Sequence, residues 1–197
     1  MSRELALFDF DGTLTTRDTM FVYLRHVAGP VRLFAAIAVL SPVLVGMKLG
    51  LVDNAWAKQL LLRLLLGGRS RSDLESAATA LVPTLDALCR PEGIERLHWH
   101  LHQGHTVRIV SASLDLWVGP WAAAHGVELL ATPAGWREER FTGLGGVNCN
   151  HEEKVRRIDA ALDRGDFDVV HAYGDTSGDR PMLAIADRPH FQPFRGA

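Results

Sequence analysis

Asp9-Phe10-Asp11-Gly12-Thr13 directly follows a short apolar run, Leu5 to Phe8, and precedes Leu14. Side chains alternate faces along a strand, and burying unpaired charge is expensive. Two carboxylates spaced two residues apart are therefore expected where the strand stops at Asp9 and both acids point into a polar cleft. Gly12 permits a tight turn and the close approach of a ligand to the backbone. Carboxylates gathered at the carboxyl end of a strand suit a hard cation such as Mg²⁺, which favours oxygen ligands.

Three further segments carry chemistry of the same kind. His105 to Ser111 reads as a strand that ends in a hydroxyl able to donate to a phosphate oxygen. Lys154, in the run from Cys149 to Val155, is a compact point charge suited to holding a phosphate or an anionic nucleophile. Val169 to Asp179 again runs an apolar strand into an acid, Asp175, with a second acid, Asp179, four residues on. Gly174 and Gly178 let the chain turn sharply there. Each segment taken alone has a plain structural reading: a turn after a strand, a strand-end serine, an exposed helix lysine, an Asp capping the next helix.

The elements that must position these residues follow from pattern. A strand is expected over Glu4 to Asp9, then a long helical insert over residues 15–88 with no strand signal. Within it, Thr19 to Val27 forms a helix stopped by Gly29-Pro30, and the apolar stretch Val31 to Leu49 breaks near Ser41-Pro42. Asp53 caps Asn54 to Leu66, and Ser72 caps the next helix with Glu75 in a capping box. Strand and helix alternation resumes at Pro91: strands over Thr106 to Ser111, Gly126 to Ala131 and Val169 to Tyr173, and a short edge strand over Pro189 to Gln192. Helices fall over Leu114 to His125, interrupted or bent near Gly119-Pro120, over Glu152 to Arg164, and over Pro181 to Ala186. Residues 135–147 read as a hairpin with its turn at Phe141 to Gly146. This alternation implies a parallel sheet with helices on both faces, whose ligands sit beyond the carboxyl ends of the strands. Asp9, Ser111 and Asp175 each lie at such an end.

Composition excludes several classes. The chain has 197 residues, enough for one core and an insert, with 21 basic and 23 acidic residues and a net charge of -2. That leaves no electrostatic footprint for nucleic acid. Cys89 and Cys149 suggest neither a metal site nor a disulfide framework. No secretory signal is visible, which predicts a cytoplasmic protein. Leu33 to Met47 is uncharged between Arg32 and Lys48. It is short for a spanning helix and contains Pro42, so it reads as buried helix, with a surface that meets a membrane or a lipid substrate as the sharper alternative. His98, His100, His102 and His105 resemble a metal cluster, but only His98 and His102 share a helix face. Trp99, Trp117, Trp121 and Trp136 read as packing residues.

The four segments in this order resemble the haloacid dehalogenase-like superfamily, in its phosphoserine-phosphatase-like branch. The resemblance spans residues 9 to 179. It implies an α/β fold with a Rossmann-like parallel sheet of order 5-4-1-2-3 over residues 1–14 and 89–197, and an all-helical cap over residues 15–88. It implies a Mg²⁺-dependent phosphatase with Asp9 as nucleophile and Asp11 as general acid and base. Mg²⁺ would be held by Asp9, the Asp11 carbonyl, Asp175 and Asp179, and the phosphoryl group by Ser111, Lys154, Gly12, Thr13 and Ala112. The second acid, Asp11, favours a phosphatase over a dehalogenase or an ion pump, and a phosphomutase is the minor option. Asp18 stands where phosphoserine-specific members carry a Glu, and Ser111-Ala112-Ser113 replaces their Ser-Gly-Gly, so phosphoserine is one alternative among small phosphorylated metabolites and lipid phosphates. Peripheral contact with the inner face of a membrane through residues 33–47 stays open, as does a non-catalytic, membrane-associated binding protein on the same fold.

Overall fold

Leu5, Ala6, Leu7 and Phe8 are all fully buried, and they form the centre of the molecule. In the computed structural model, which describes residues 2–195, this strand β1 (Glu4–Phe8) lies in a five-stranded parallel sheet. Its neighbours are β2 (Thr106–Leu114) and β6 (Val169–Gly174), with β3 (Glu128–Thr132) beyond β2 and β7 (Arg188–Phe191) beyond β6. Counting core strands alone, this is the expected order 5-4-1-2-3. Met1, Gly196 and Ala197, part of the expected core, lie outside the described residues. A strand buried on both faces must be apolar throughout. Ala6 and Phe8 pack into one apolar cluster and Leu5 and Leu7 into the other.

Helices α6 (Pro91–His102), α7 (Asp115–Ala124), α8 (Glu152–Ala161) and α9 (Arg180–Ala184) accompany the strands. Between β1 and α6 the chain inserts five helices: α1 (Thr19–Ala28), α2 (Pro30–Val39), α3 (Ser41–Lys48), α4 (Asn54–Leu66) and α5 (Arg71–Asp86). It leaves and returns through two paired segments, with Thr16 N–H donating to the Leu88 carbonyl (2.9 Å) and Arg90 N–H to the Leu14 carbonyl (2.7 Å). The insert packs back through Tyr23, whose ring stacks on Trp117, and through the indole of Trp121, which donates to Asp86 at 2.7 Å.

Several local expectations need correction. The cap of α5 is Ser70, which accepts from Asp73 N–H at 3.2 Å; Ser72 lies inside the helix and its hydroxyl meets that of Ser70. The hairpin β4 (Ala134–Arg137) and β5 (Arg140–Leu144) turns at Glu138-Glu139, both at positive φ, so Phe141 to Gly143 belong to a strand. Two positive φ values match the twist of a two-residue hairpin turn. Helix α7 runs through Gly119-Pro120 without interruption. Helix α8 ends at Ala161, short of Arg164, where Asp163 starts a separate short turn.

Candidate active site

Asp9 follows the last residue of β1, and its N–H still donates to the Tyr173 carbonyl of β6 at 2.9 Å. The chain then turns tightly over residues 10–14, closed by Thr15 N–H on the Phe10 carbonyl at 3.0 Å. Gly12 is required there. Its φ is +86°, and a Cβ at this position would lie 2.6 Å from an oxygen of Asp175. Thr13 is buried, and its hydroxyl donates to Asp175 at 3.2 Å.

Asp9, Lys154, Asp175 and Asp179 converge from three parts of the chain, the end of β1, α8 and the turn after β6, and are all buried. The Lys154 ammonium lies 2.6 Å from Asp9, 2.6 Å from Asp179 and 2.7 Å from the Val110 carbonyl, which uses all three of its donors. The other oxygen of Asp179 accepts from Asp175 N–H, Thr176 N–H and the Thr176 hydroxyl in a capping box. Arg195 reaches Asp175 from the C-terminal segment.

These contacts sort the carboxylates. Burial raises the Asp9 carboxyl to about 7; the pull of Lys154 is outweighed by burial together with the nearby charge of Asp179. Burial also works to raise Asp179, but Lys154 and the two backbone N–H donors hold it below the usual range. Burial works to lower Lys154, and the two carboxylates outweigh it and push the ammonium up. Oxygen atoms of Asp9, Asp175 and Asp179 all lie within 4.8 Å of one another, and among the described residues they form the one cluster suited to a metal ion. Three buried carboxylates meet two cations, Lys154 on Asp9 and Asp179 and Arg195 on Asp175, which leaves one negative charge in excess and fits a hard divalent cation with oxygen ligands.

Asp11 points elsewhere. One oxygen accepts from the N–H and hydroxyl of Thr19, both at 2.6 Å, where α1 begins. The other accepts from the Ser113 hydroxyl at 2.6 Å and the Ser111 hydroxyl at 3.4 Å. A carboxylate at a helix N-terminus is favourably placed. Ser111 is fully buried and also accepts from Ser113 N–H, while Ser113 and Ala112 line a cavity of about 480 Å³.

That cavity is bounded at its base by Asp9, Asp11, Gly12, Lys154, Asp175 and Asp179. Its far wall is apolar, from Met20, Phe21, Leu44, Met47, Ala57 and Leu61 of the insert. Asp18 caps α1 by accepting from Met20 N–H at 2.8 Å. Although much of its surface is open, Asp18 also faces the cavity, where lost hydration and then the charge of Asp11 raise it to about 6.

Sequence reasoning missed Lys58, Ser113, Asn148 and Asn150, all of which line the cavity. Lys58 crosses from α4 to donate to the Ala112 carbonyl at 2.5 Å and to Asn148 at 3.2 Å. No local pattern marks it; it is one lysine in an apolar helix. The histidines gather at the other end of the strands: His100 meets His105 at 2.8 Å and the Tyr173 hydroxyl at 2.9 Å, while His98 lies beside His125.

A parallel sheet with Asp9 and Asp175 at the carboxyl ends of β1 and β6, and a lysine from α8 that joins Asp9 to Asp179, defines the class. The family model for haloacid dehalogenase-like hydrolases matches residues 6–184, and the chain belongs to that family. It is 35% identical over 196 residues to Protein CicA of two Caulobacter vibrioides strains, covering 98% of this chain and 87% of that protein. A solved protein of unknown function from Bordetella pertussis Tohama I is similar at 26% identity with a TM-score of 0.83, over 96% of this chain and 89% of that one. A phosphoserine phosphohydrolase-like protein from Francisella tularensis shares the fold at 20% identity and a TM-score of 0.67, over 97% and 86%.

Proposed function

We propose that this chain is a Mg²⁺-dependent phosphomonoester hydrolase that carries the phosphoryl group transiently on Asp9. The supporting observation is the meeting of Asp9, Lys154, Asp175 and Asp179 at the base of one cavity, with Asp11 held separately beside them. Bound by Asp9, Asp175, Asp179 and the Asp11 carbonyl, Mg²⁺ would neutralise charge where an anionic nucleophile meets an anionic phosphate. An oxygen of Asp9 attacks phosphorus as the bond to the leaving oxygen breaks. Asp11 gives its proton to that oxygen. It then takes a proton from the water that attacks phosphorus, which frees inorganic phosphate and returns the Asp9 carboxylate. Lys154 and Ser111, with the N–H groups of Gly12, Thr13 and Ala112, hold the phosphoryl oxygens.

Residues 15–88 act as a cap over the core of residues 1–14 and 89–197, hinged at the paired crossings near Thr16 and Arg90. The substrate is a small phosphorylated metabolite or a lipid phosphate. The apolar wall from Met20 to Leu61 favours an apolar part in the leaving group, and contact of residues 33–47 with a membrane belongs to the lipid case. Phosphoserine is the alternative supported by Asp18 and Lys58, an acid and a base suited to an amine and a carboxylate.

The test is hydrolysis of p-nitrophenyl phosphate by the purified chain. Activity should require Mg²⁺, vanish with EDTA, return with added Mg²⁺, and be absent in Asp9→Asn. Full turnover by Asp9→Asn removes the proposed nucleophile. Inactivity of the wild type toward a broad panel of phosphate esters favours the non-catalytic binding protein instead.

A further inference from the structure

Helix α2 is apolar on every side except at Arg32. Leu33 and Ala36 face inward and are buried, yet Val31, Phe34, Ala35 and Ala38 are exposed on the opposite side at i, i+3, i+4 and i+7, with Val39 beside them. Val31 is 80% exposed and Phe34 71%. A surface helix ordinarily turns charged or polar residues to solvent; here Arg32 is the one charged residue of ten. Exposed apolar side chains continue through Val45 of α3, Leu49 and Leu51 after it, and Trp56 of α4. A monomer seldom leaves so many together without a partner.

Two observations identify the partner. First, the helices that α2 packs against and continues into form the cavity wall: Leu44 and Met47 of α3, Ala57 and Leu61 of α4, and Phe21 of α1, itself partly exposed. Helix α2 itself lines none of the cavity, but the exposed Val45 and Trp56 stand on two of the helices that do. Second, charge is unevenly shared. Residues Thr19 to Leu66 hold five basic residues (Arg25, Arg32, Lys48, Lys58 and Arg63) and one acid, Asp53, in a chain whose net charge is -2; Lys58 turns into the cavity and Arg63 donates to the Thr142 carbonyl, so Arg25 of α1 and Arg32 of α2 carry the surface charge. Arg25 and Arg32 are exposed. An apolar face flanked by cations in an otherwise acidic protein matches an anionic lipid surface.

We propose that α2, α3 and the start of α4 dock this protein on an anionic bilayer, with the cavity opening toward the lipid headgroups. The helices lie in the interface and do not span it. Helices α2 and α3 have ten and eight residues, far short of the hydrocarbon thickness. Among the described residues no single helix is long and apolar enough to cross a membrane, and α1 and α2, which would have to combine, meet at a bend of 117°. The proposal deepens the phosphatase reading, from which it takes its meaning for substrate supply, but docking itself is measurable without turnover.

The experiment is co-sedimentation of the full chain with vesicles of phosphatidylcholine alone and of equal parts phosphatidylcholine and phosphatidylglycerol. Binding should be at least about tenfold stronger to the anionic vesicles and should weaken with salt. A triple variant, Val31→Gln with Phe34→Gln and Val39→Gln, should lose binding about tenfold or more while hydrolysing soluble p-nitrophenyl phosphate at the wild-type rate. Arg25→Gln with Arg32→Gln should erase the preference for anionic lipid. No sedimentation with either vesicle, equal binding to both, or undiminished binding by the triple variant overturns the proposal. So does a wild-type dimer in analytical ultracentrifugation that the triple variant dissolves, since a second copy would then cover the face. Vesicle binding without any phosphatase activity sustains docking and removes the proposed function; activity without vesicle binding does the reverse.

Discussion

The ammonium of Lys154 lies 2.6 Å from the carboxylate of Asp9, and both are buried. The same ammonium holds Asp179 at an equal distance, so one cation joins the end of β1 to the turn after β6. Lys154→Met should leave two buried carboxylates without their partner. Removing one member of a buried pair costs about 3–5 kcal/mol, which should appear as a lower denaturation midpoint, and Mg²⁺-dependent turnover should fall by about 10²-fold or more. A variant as stable and active as the wild type would show that the contact does no work in either role.

Asp11 is held by Thr19 on one oxygen and Ser113 on the other. Asp11→Ala should slow hydrolysis by about 10²–10⁴-fold for esters with poor leaving groups, and least for nitrophenyl phosphate. Ser113→Ala, which only loosens the carboxylate, should give a smaller loss with the same dependence on leaving group. Uniform losses across leaving groups of different acidity would argue against proton transfer by Asp11.

At Gly12 the backbone and the neighbouring acid make the same demand. Gly12→Ala forces a side chain into the left-handed region and sets its Cβ against Asp175. The backbone cost is about 1–2 kcal/mol, and displacement of Asp175 should weaken Mg²⁺ activation by at least about tenfold. The check is a Mg²⁺ titration of activity beside a denaturant melt; an unchanged half-saturating concentration would refute the displacement.

His100 is fully buried among His105, His171, Tyr173 and Glu4. Burial, then the nearby His171 and His105, lower it from its ordinary 6.5 to about 3. The folded state therefore keeps this ring neutral while the unfolded chain takes up a proton. Its contribution to stability is full above pH 6.5 and is lost progressively as pH falls toward 3. Melting temperature should decline across that range. His100→Gln, less stable at neutral pH, should show a shallower decline, and parallel pH profiles would contradict the assignment.

Lys58 spans from α4 to the Ala112 carbonyl over the cavity. Burial lowers its pKa, and the charges of Asp11 and Asp18 oppose this. Lys58→Met should raise KM about tenfold for esters whose leaving group carries an anion and leave kcat for a neutral aryl ester within about twofold. A loss confined to kcat would place Lys58 in the chemical step instead.

The ends of β1 and β6 were legible from the residues because a strand buried on both faces must be apolar, so the first acid marks where the strand stops. Asp9 and Asp175 stand out on that ground alone, whereas β2, expected to end at Ser111, runs on to Leu114. Gly29 and Asp53 bounded their helices for equally local reasons, since a side-chain cap and a positive φ are properties of one or two residues. The turn at Glu138-Glu139 was not legible, because Glu is not a residue that favours positive φ. Ser70 in place of Ser72 turned on how the chain leaves Gly68, a tertiary matter.

Contacts between distant segments were decided by the tertiary structure. Lys58 and Ala112 are 54 residues apart, Asp11 and Ser113 are 102, and Lys154 and Asp9 are 145. Side-chain type says that a lysine seeks a carboxylate or a carbonyl, but only the packed sheet and the inserted helices say which one is within reach. The outward apolar face of α2 has the same origin. Its sequence is apolar on every side except at Arg32, and the side left uncovered depends on where α1 and α4 pack against it.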